Sequence, residues 1–297
     1  MNKMQMLTVF FLWLLLTDCR QKNVQGKTVK IEFNQPVKVR VNGYGGNIME
    51  PFLSRNGSIL LFNNLNAAPE NTNLHWATRL NDSTFEYKGE IAGVNTTDLE
   101  GVPSMDNSDN LYFVSTRNYA ATLSTLYQCN LSNGIATNVQ LVSGISKLQA
   151  GWVNFDVEIS ADGNILFFVD GFFNQGSIPA SADLVIAEKK GLEFQRVANS
   201  SSIMNNINTS ALEYAACISV DQLELYFTRL DLPITSNSEP EIFVSTRVKS
   251  TDPFGQPKKI EEIEGFVEAA TIAPDQRTIY YHKKENNKFE LYKITKK

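Results

Sequence analysis

Five times along this chain of 297 residues, a short polar turn separates two apolar stretches, and the second stretch ends in aromatic residues. The copies read Glu50-Pro51-Phe52-Leu53-Ser54-Arg55-Asn56-Gly57 into Leu60-Leu61-Phe62, Ser104-Met105-Asp106-Asn107 into Leu111-Tyr112-Phe113, and Ser160-Ala161-Asp162-Gly163 into Leu166-Phe167-Phe168. Two more follow: Ser219-Val220-Asp221-Gln222 into Leu225-Tyr226-Phe227, and Ala273-Pro274-Asp275-Gln276 into Ile279-Tyr280-Tyr281. A period of roughly 50 to 60 residues marks supersecondary units that bury their apolar faces only by stacking on neighbours. Because the copies run evenly to the C-terminus, they are assigned to one domain.

Within each unit the first stretch is rich in small residues, as in Ala215-Ala216-Cys217-Ile218 and Glu268-Ala269-Ala270-Thr271-Ile272. Small side chains suit strands that crowd around a common axis, and the aromatics of the second strand fill the space that widens away from it. A third strand follows in every copy: Leu74–Arg79, Leu126–Cys129, Leu184–Ala187, Ile242–Arg247 and Leu291–Ile294. Phe85–Ile91 and Phe254–Ile260 exemplify a fourth. Units of four antiparallel strands read as an all-β fold, a β-propeller with one unit per blade.

The last copy stops at Ile294, which leaves a sheet edge unpaired. Phe33-Asn34-Gln35-Pro36-Val37-Lys38-Val39 has the form of the fourth strand Phe254-Gly255-Gln256-Pro257-Lys258-Lys259-Ile260, and it precedes the first copy. The prediction is a five-bladed β-propeller over residues 28–297, with first strands near 47–54, 98–104, 154–160, 212–219 and 266–273, closed by an N-terminal strand that completes the last blade.

The segments Ser160-Ala161-Asp162-Gly163-Asn164-Ile165-Leu166-Phe167-Phe168 and Ala273-Pro274-Asp275-Gln276-Arg277-Thr278-Ile279-Tyr280-Tyr281, with Val114-Ser115-Thr116-Arg117 and Val244-Ser245-Thr246-Arg247, resemble the WD40-like (PD40) repeat of TolB-like β-propellers. The resemblance covers residues 30–297. It implies a propeller that acts as a binding or interaction platform in a bacterial envelope, and names no ligand.

Residues 1–19 differ from everything after them. Lys3 precedes the apolar run Leu7–Leu16, which is too short to span a bilayer and fits the core of a secretory signal. Leu16-Thr17-Asp18-Cys19 resembles a bacterial lipobox, with Asp18 standing where that pattern has a small residue. The resemblance implies lipidation at Cys19 and a membrane anchor there. The polar stretch 20–27 then reads as a tether.

The formal charge of −5 comes with scattered lysines and arginines, so nucleic acid is not an expected partner. Lys283, Lys284, Lys288, Lys293, Lys296 and Lys297 form the one basic cluster, read as a solvated edge. Cys129 and Cys217 are placed in different strands and units, and are read as buried small hydrophobes, not a disulfide.

Chemistry-bearing residues are few. The two histidines, His75 and His282, are too few for a histidine-rich metal site, and no nucleophile elbow, phosphate-binding loop or dinucleotide fingerprint occurs. No catalytic residue, metal or cofactor is assigned. Asp106, Asp109, Asp162, Asp221 and Asp275 fit tight turns. The candidate ligand site is the set of acids at the start of the first strands, Glu50, Glu100, Asp156, Glu213 and Glu268, which would gather at one mouth of a central channel, with Tyr44 and Trp152 on loops at that mouth.

Three functional readings follow. The first is an exported, non-catalytic platform in the cell envelope, anchored at Cys19, periplasmic or at the cell surface, that binds an envelope protein or a glycan. The alternative is a glycan-active hydrolase using the mouth carboxylates, which requires a pair roughly 5 to 9.5 Å apart in a sugar-sized cleft. A structural component of an envelope complex is the third reading.

Overall fold

Every predicted first strand runs antiparallel to the aromatic strand that follows it. The first strands are Met49–Leu53, Glu100–Met105, Trp152–Ile159, Leu212–Ile218 and Val267–Ile272. Their partners are Ile59–Asn63, Asn110–Ser115, Ile165–Phe172, Glu224–Leu230 and Thr278–Glu285. Third strands pair on the far side of these: Leu74–Asn81, Leu126–Ser132, Ser181–Lys190, Glu241–Thr246 and Lys288–Thr295. A fourth strand follows in the first four sets, at Thr84–Glu90, Ile135–Leu141, Glu193–Arg196 and Lys258–Lys259. One parallel bridge, Ala182 to Leu212, joins the third and fourth sets into an eight-stranded sheet. The computed structural model describes residues 31–66, 71–174 and 176–297, so the signal segment, the tether and Cys19 lie outside the described residues.

The fourth strand of the last set comes from the other end of the chain. Val37 and Lys38 pair antiparallel with Lys293 and Tyr292, and Phe33 bridges Lys296. A second contact was not foreseen from the sequence: Arg40–Asn42 turns onto the first set and pairs in parallel with Thr84–Glu86. Val39 and Val41, between and beside these pairings, are buried.

The aromatic strands are apolar along their length because both faces are covered. In the second set, Leu111 and Phe113 enter one core cluster with Leu61 of the first set, while Tyr112 and Val114 enter another with Leu166 and Phe168 of the third. The same alternation sends Leu60 and Phe62 to a cluster with Tyr280 and Leu291. Burying one such Phe side chain contributes about 1.5–3 kcal/mol. Cys129 and Cys217 are buried free thiols, as read from the sequence.

The second copy sits in a different register from the one its sequence suggests. Ser104 aligns by eye with Ser54 and Ser160, yet Met105 pairs with Leu111 as Leu53 pairs with Leu60 and Ile159 with Leu166. The turn therefore begins at Asp106. Its Oδ1 accepts the N–H groups of Ser108 and Asn110, the part that Ser160 Oγ plays toward Asn164 and Ile165. Ser104 is freed to donate to Glu158 Oε2 at 2.6 Å. Three of the other turn aspartates cap backbone N–H groups too: Asp162 that of Asn164, Asp221 that of Leu223, and Asp275 those of Arg277 and Thr278, whereas Asp109 sits in the second turn in the left-handed region (φ 59°).

Candidate functional site

Every first strand carries a β-bulge, and each bulge holds a non-glycine residue in the left-handed region: Glu50 (φ 47°), Val102 (53°), Asp156 (54°), Ala215 (50°) and Ala269 (57°). Such backbone costs on the order of 1 kcal/mol and re-aims the side chain. All five bulge residues line one cavity of about 30 Å³. Of the five predicted acids, only Glu50 and Asp156 occupy bulge positions; Glu268 lies one residue before, Glu100 and Glu213 two before. The shift of register in the second copy is what moves Glu100 away from the position of Glu50.

This offset divides the predicted ring of acids. Glu100 and Glu213 end two copies of an Asn-Thr-x-x-Leu-Glu motif, residues 95–100 and 208–213, and both are fully buried. Thr96 and Thr209 each donate a backbone N–H and a hydroxyl to the glutamate four residues on. Arg117 meets Glu100 at 3.1 Å and Arg229 meets Glu213 at 2.7 Å. Asn95 and Asn208 clamp the backbone of Leu74 and Leu184 in the preceding sets. These two acids hold neighbouring sheets together and do not join the others.

The remaining three converge. Glu268 accepts a hydrogen bond from Tyr214 Oη at 2.5 Å and from His282 Nε2 at 3.0 Å. His282, fully buried, accepts the backbone N–H of Glu50 at Nδ1 (3.1 Å), which leaves the ring proton on Nε2. One carboxylate oxygen of Glu50, one of Glu268 and a ring nitrogen of His282 all lie within 4.8 Å of one another. Asp156 Oδ2 accepts the N–H of Ala215 at 2.8 Å. Asn66 donates to Glu50 Oε1 at 2.7 Å, whereas Oε2 is buried with no hydrogen-bond partner among the described residues. Burial, reinforced by Asp156 and Glu268, raises the Glu50 carboxyl well above the usual range. Asp156 is pushed up to about 7 by burial and by Glu268, against the pull of the Ala215 N–H. Burial and the same carboxylates raise the Tyr214 hydroxyl.

Glu158 lines the same cavity but has a cation: Arg55 reaches it from the first set at 3.0 Å, with both side chains almost wholly buried. Arg55 also donates to the carbonyls of Met105 and Ile159, which ties together the first three sets.

Tyr44 and Trp152 lie away from this cavity's lining. Tyr44 packs on Phe62, Tyr87 and His75, with centroids 5.0, 4.9 and 5.4 Å away, and donates to the carbonyl of Asn47. The Trp152 ring lies under the Lys147 ammonium, 3.1 Å from its centroid, and beside Phe172 at 5.2 Å. A second cavity of about 360 Å³ opens where the loop after Leu230 leaves the fourth set, lined by Arg229, Asp231, Ser238, Glu239, Glu241 and Phe243. Sequence reasoning weighed His282 only as one of too few histidines for a metal site, and did not single out Tyr214. For Tyr214 the available signal was its place beside Glu213 in a first strand; for His282 it was its place nearly opposite Glu268 in a hairpin.

Neither protein-family models nor curated proteins match this chain. Solved structures do. BT0996, solved in an RGII complex, superposes with a TM-score of 0.58 at 12% identity, over 90% of this protein and 92% of that one. Zg3597, a family 117 glycoside hydrolase from the marine bacterium Zobellia galactanivorans, gives 0.54 at 9% identity over 90% of both proteins. TolB from Acinetobacter baumannii gives 0.46 at 14% identity over 84% of this protein and 54% of that one, so the present chain spans about half the length of that TolB. The class that fold and topology define is a β-propeller. At these identities the likeness speaks for the fold alone.

Proposed function

We propose that the five antiparallel sets are the blades of a closed five-bladed propeller, and that the protein is an exported, non-catalytic platform that binds a glycan of the bacterial envelope on its loop face. The observation that carries this reading is the contrast between the two cavities. Ligand sites commonly measure about 300–1,000 Å³. The cavity beside Asp231, Ser238, Glu239 and Glu241 has about 360 Å³ and is lined by groups that pair with hydroxyls. The one at the converging carboxylates has about 30 Å³, too little for a sugar ring.

The hydrolase alternative fits less well for the same reason, and because Glu100 is capped by Arg117 and Asp156 by a backbone N–H. Ring closure is supported by the N-terminal strand on the last set and by the hydrogen bond from the Leu53 N–H to Thr271 Oγ1. Export and lipidation rest on residues 1–19 and Cys19; metabolic labelling with a palmitate analogue tests them, with Cys19→Ser expected to carry no label.

Glycan-array screening of the full chain, followed by calorimetry on any hit, tests the binding reading. Binding without release of new reducing ends, weakened by Asp231→Ala and Glu239→Ala, is expected. Turnover that depends on Glu50 or Asp156 would instead establish the hydrolase.

A further inference from the structure

We propose that the space between Glu50 and Glu268 is a binding site for one hard divalent cation of the calcium class, held by carboxylate oxygens. Three independent features of the site point there, and none depends on what the loop face binds.

The first is charge. Elsewhere this fold pairs its buried glutamates with arginine: Glu100, Glu158 and Glu213 each have one. Among the described residues no Lys or Arg lies within 4.0 Å of the carboxylates of Glu50, Asp156 or Glu268. Burying acids without a compensating cation is costly, and several buried carboxylates close to one another more so. The second is an orphan atom. Glu50 is 5% exposed, lines the cavity and leaves Oε2 without a hydrogen bond among the described residues.

The third is fit. Two oxygens bound to one calcium at about 2.4 Å lie at most about 4.8 Å apart, and the ligand atoms of Glu50 and Glu268 meet that limit. A cavity needs about 10–15 Å³ for a water, and the cavity of about 30 Å³ lined by Glu50 and Asp156 leaves room for a water ligand on the Glu50 side of the ion. His282 decides the class of ion. Since its Nδ1 accepts the Glu50 N–H, its Nε2 carries the proton that goes to Glu268 and has no lone pair to offer a metal. His282 is thus a positioning residue that orients the Glu268 carboxylate. An all-oxygen donor set selects calcium or magnesium over zinc.

The test is calorimetric titration of CaCl2, MgCl2 and ZnCl2 into the EDTA-treated full chain, with thermal unfolding at matched ionic strength. About one calcium per chain and a melting point raised by about 5 °C at saturation are expected, with zinc bound no more tightly than calcium. Glu50→Gln and Glu268→Gln should each weaken binding by at least about tenfold. Circular dichroism shows whether each variant folds. Terbium bound in place of calcium supplies a readout on the wild-type chain: its emission on tyrosine excitation should rise on binding and be displaced by calcium. The proposal is overturned if the wild-type chain shows neither heat nor a melting shift with calcium or magnesium, if zinc alone binds, or if both folded variants keep wild-type affinity.

Discussion

Glu268 and His282 face each other across the last hairpin with 3.0 Å between Oε2 and Nε2, and the other ring nitrogen takes the backbone N–H of Glu50. One imidazole thereby ties the last set of strands to the first. Replacing it with Phe strands a buried N–H and a carboxylate oxygen, each worth about 1–3 kcal/mol when unsatisfied. We expect His282→Phe to lower stability by about 2–4 kcal/mol, measured by urea unfolding of the EDTA-treated chain; a loss under about 1 kcal/mol would contradict this.

Arg55 and Glu158 form a pair whose side chains are 6% and 3% exposed. Removing one member of such a pair leaves an uncompensated charge and costs about 3–5 kcal/mol. Arg55→Met should therefore destabilise strongly, and adding Glu158→Gln should recover part of the loss, because the stranded charge goes with it. A double-mutant cycle by denaturant unfolding measures the coupling.

The segment that pairs Val37 and Lys38 with the last hairpin and Arg40–Asn42 with Thr84–Glu86 covers two sheet edges at once. A chain beginning at Gly43 should lose cooperative unfolding, whereas one beginning at Lys30 should melt like the full chain. Equal melting of the two by circular dichroism would refute the closure argument.

Asp275 supplies a pH dependence. Partial burial pushes its carboxyl up, but the N–H groups of Thr278 and Arg277, the Thr278 hydroxyl and Arg79 outweigh it and hold the group below its ordinary 3.8. A depressed folded value means that the stabilisation is complete above 3.8 and is lost as pH falls through the folded value. Asp275→Asn should thus be less stable than wild type at neutral pH, by under about 1 kcal/mol because the site is largely solvated. The gap should close on acidification. Urea midpoints measured across the acid range check it; a gap that widens toward low pH would reverse the sign.

Much of the fold is legible in the repeats because its determinants are local or periodic. Leu166-Phe167-Phe168 is apolar without alternation because its two faces enter different clusters, and any strand so placed must read that way. Turn residues such as Asp162-Gly163 recur because backbone N–H groups there need a side-chain acceptor. The candidate site is less legible. Counting back in register from Ile272 opposite Ile279 would set Glu268 opposite Lys283; the bulge between Glu268 and Thr271 sets it opposite His282. Likewise, Asp106 performs the part of a serine in the second turn and carries Glu100 out of line with Glu50.

The sequence by itself determined the first, second and third strands of each set, their order, four of the five repeat turns and the borrowed N-terminal strand, since those follow from hydrophobic period and from backbone groups that must be paired nearby. Which acids meet was decided only in three dimensions. A bulge residue in the left-handed region aims each first strand's side chains, and its identity varies freely from Glu50 to Val102, Asp156, Ala215 and Ala269, so no local pattern announces it. Five acids, of which Glu50, Glu100 and Asp156 share one spacing to the serine that follows, become two arginine-bound clamps and a convergence of Glu50 and Glu268 on His282, with Asp156 on the cavity beside Glu50.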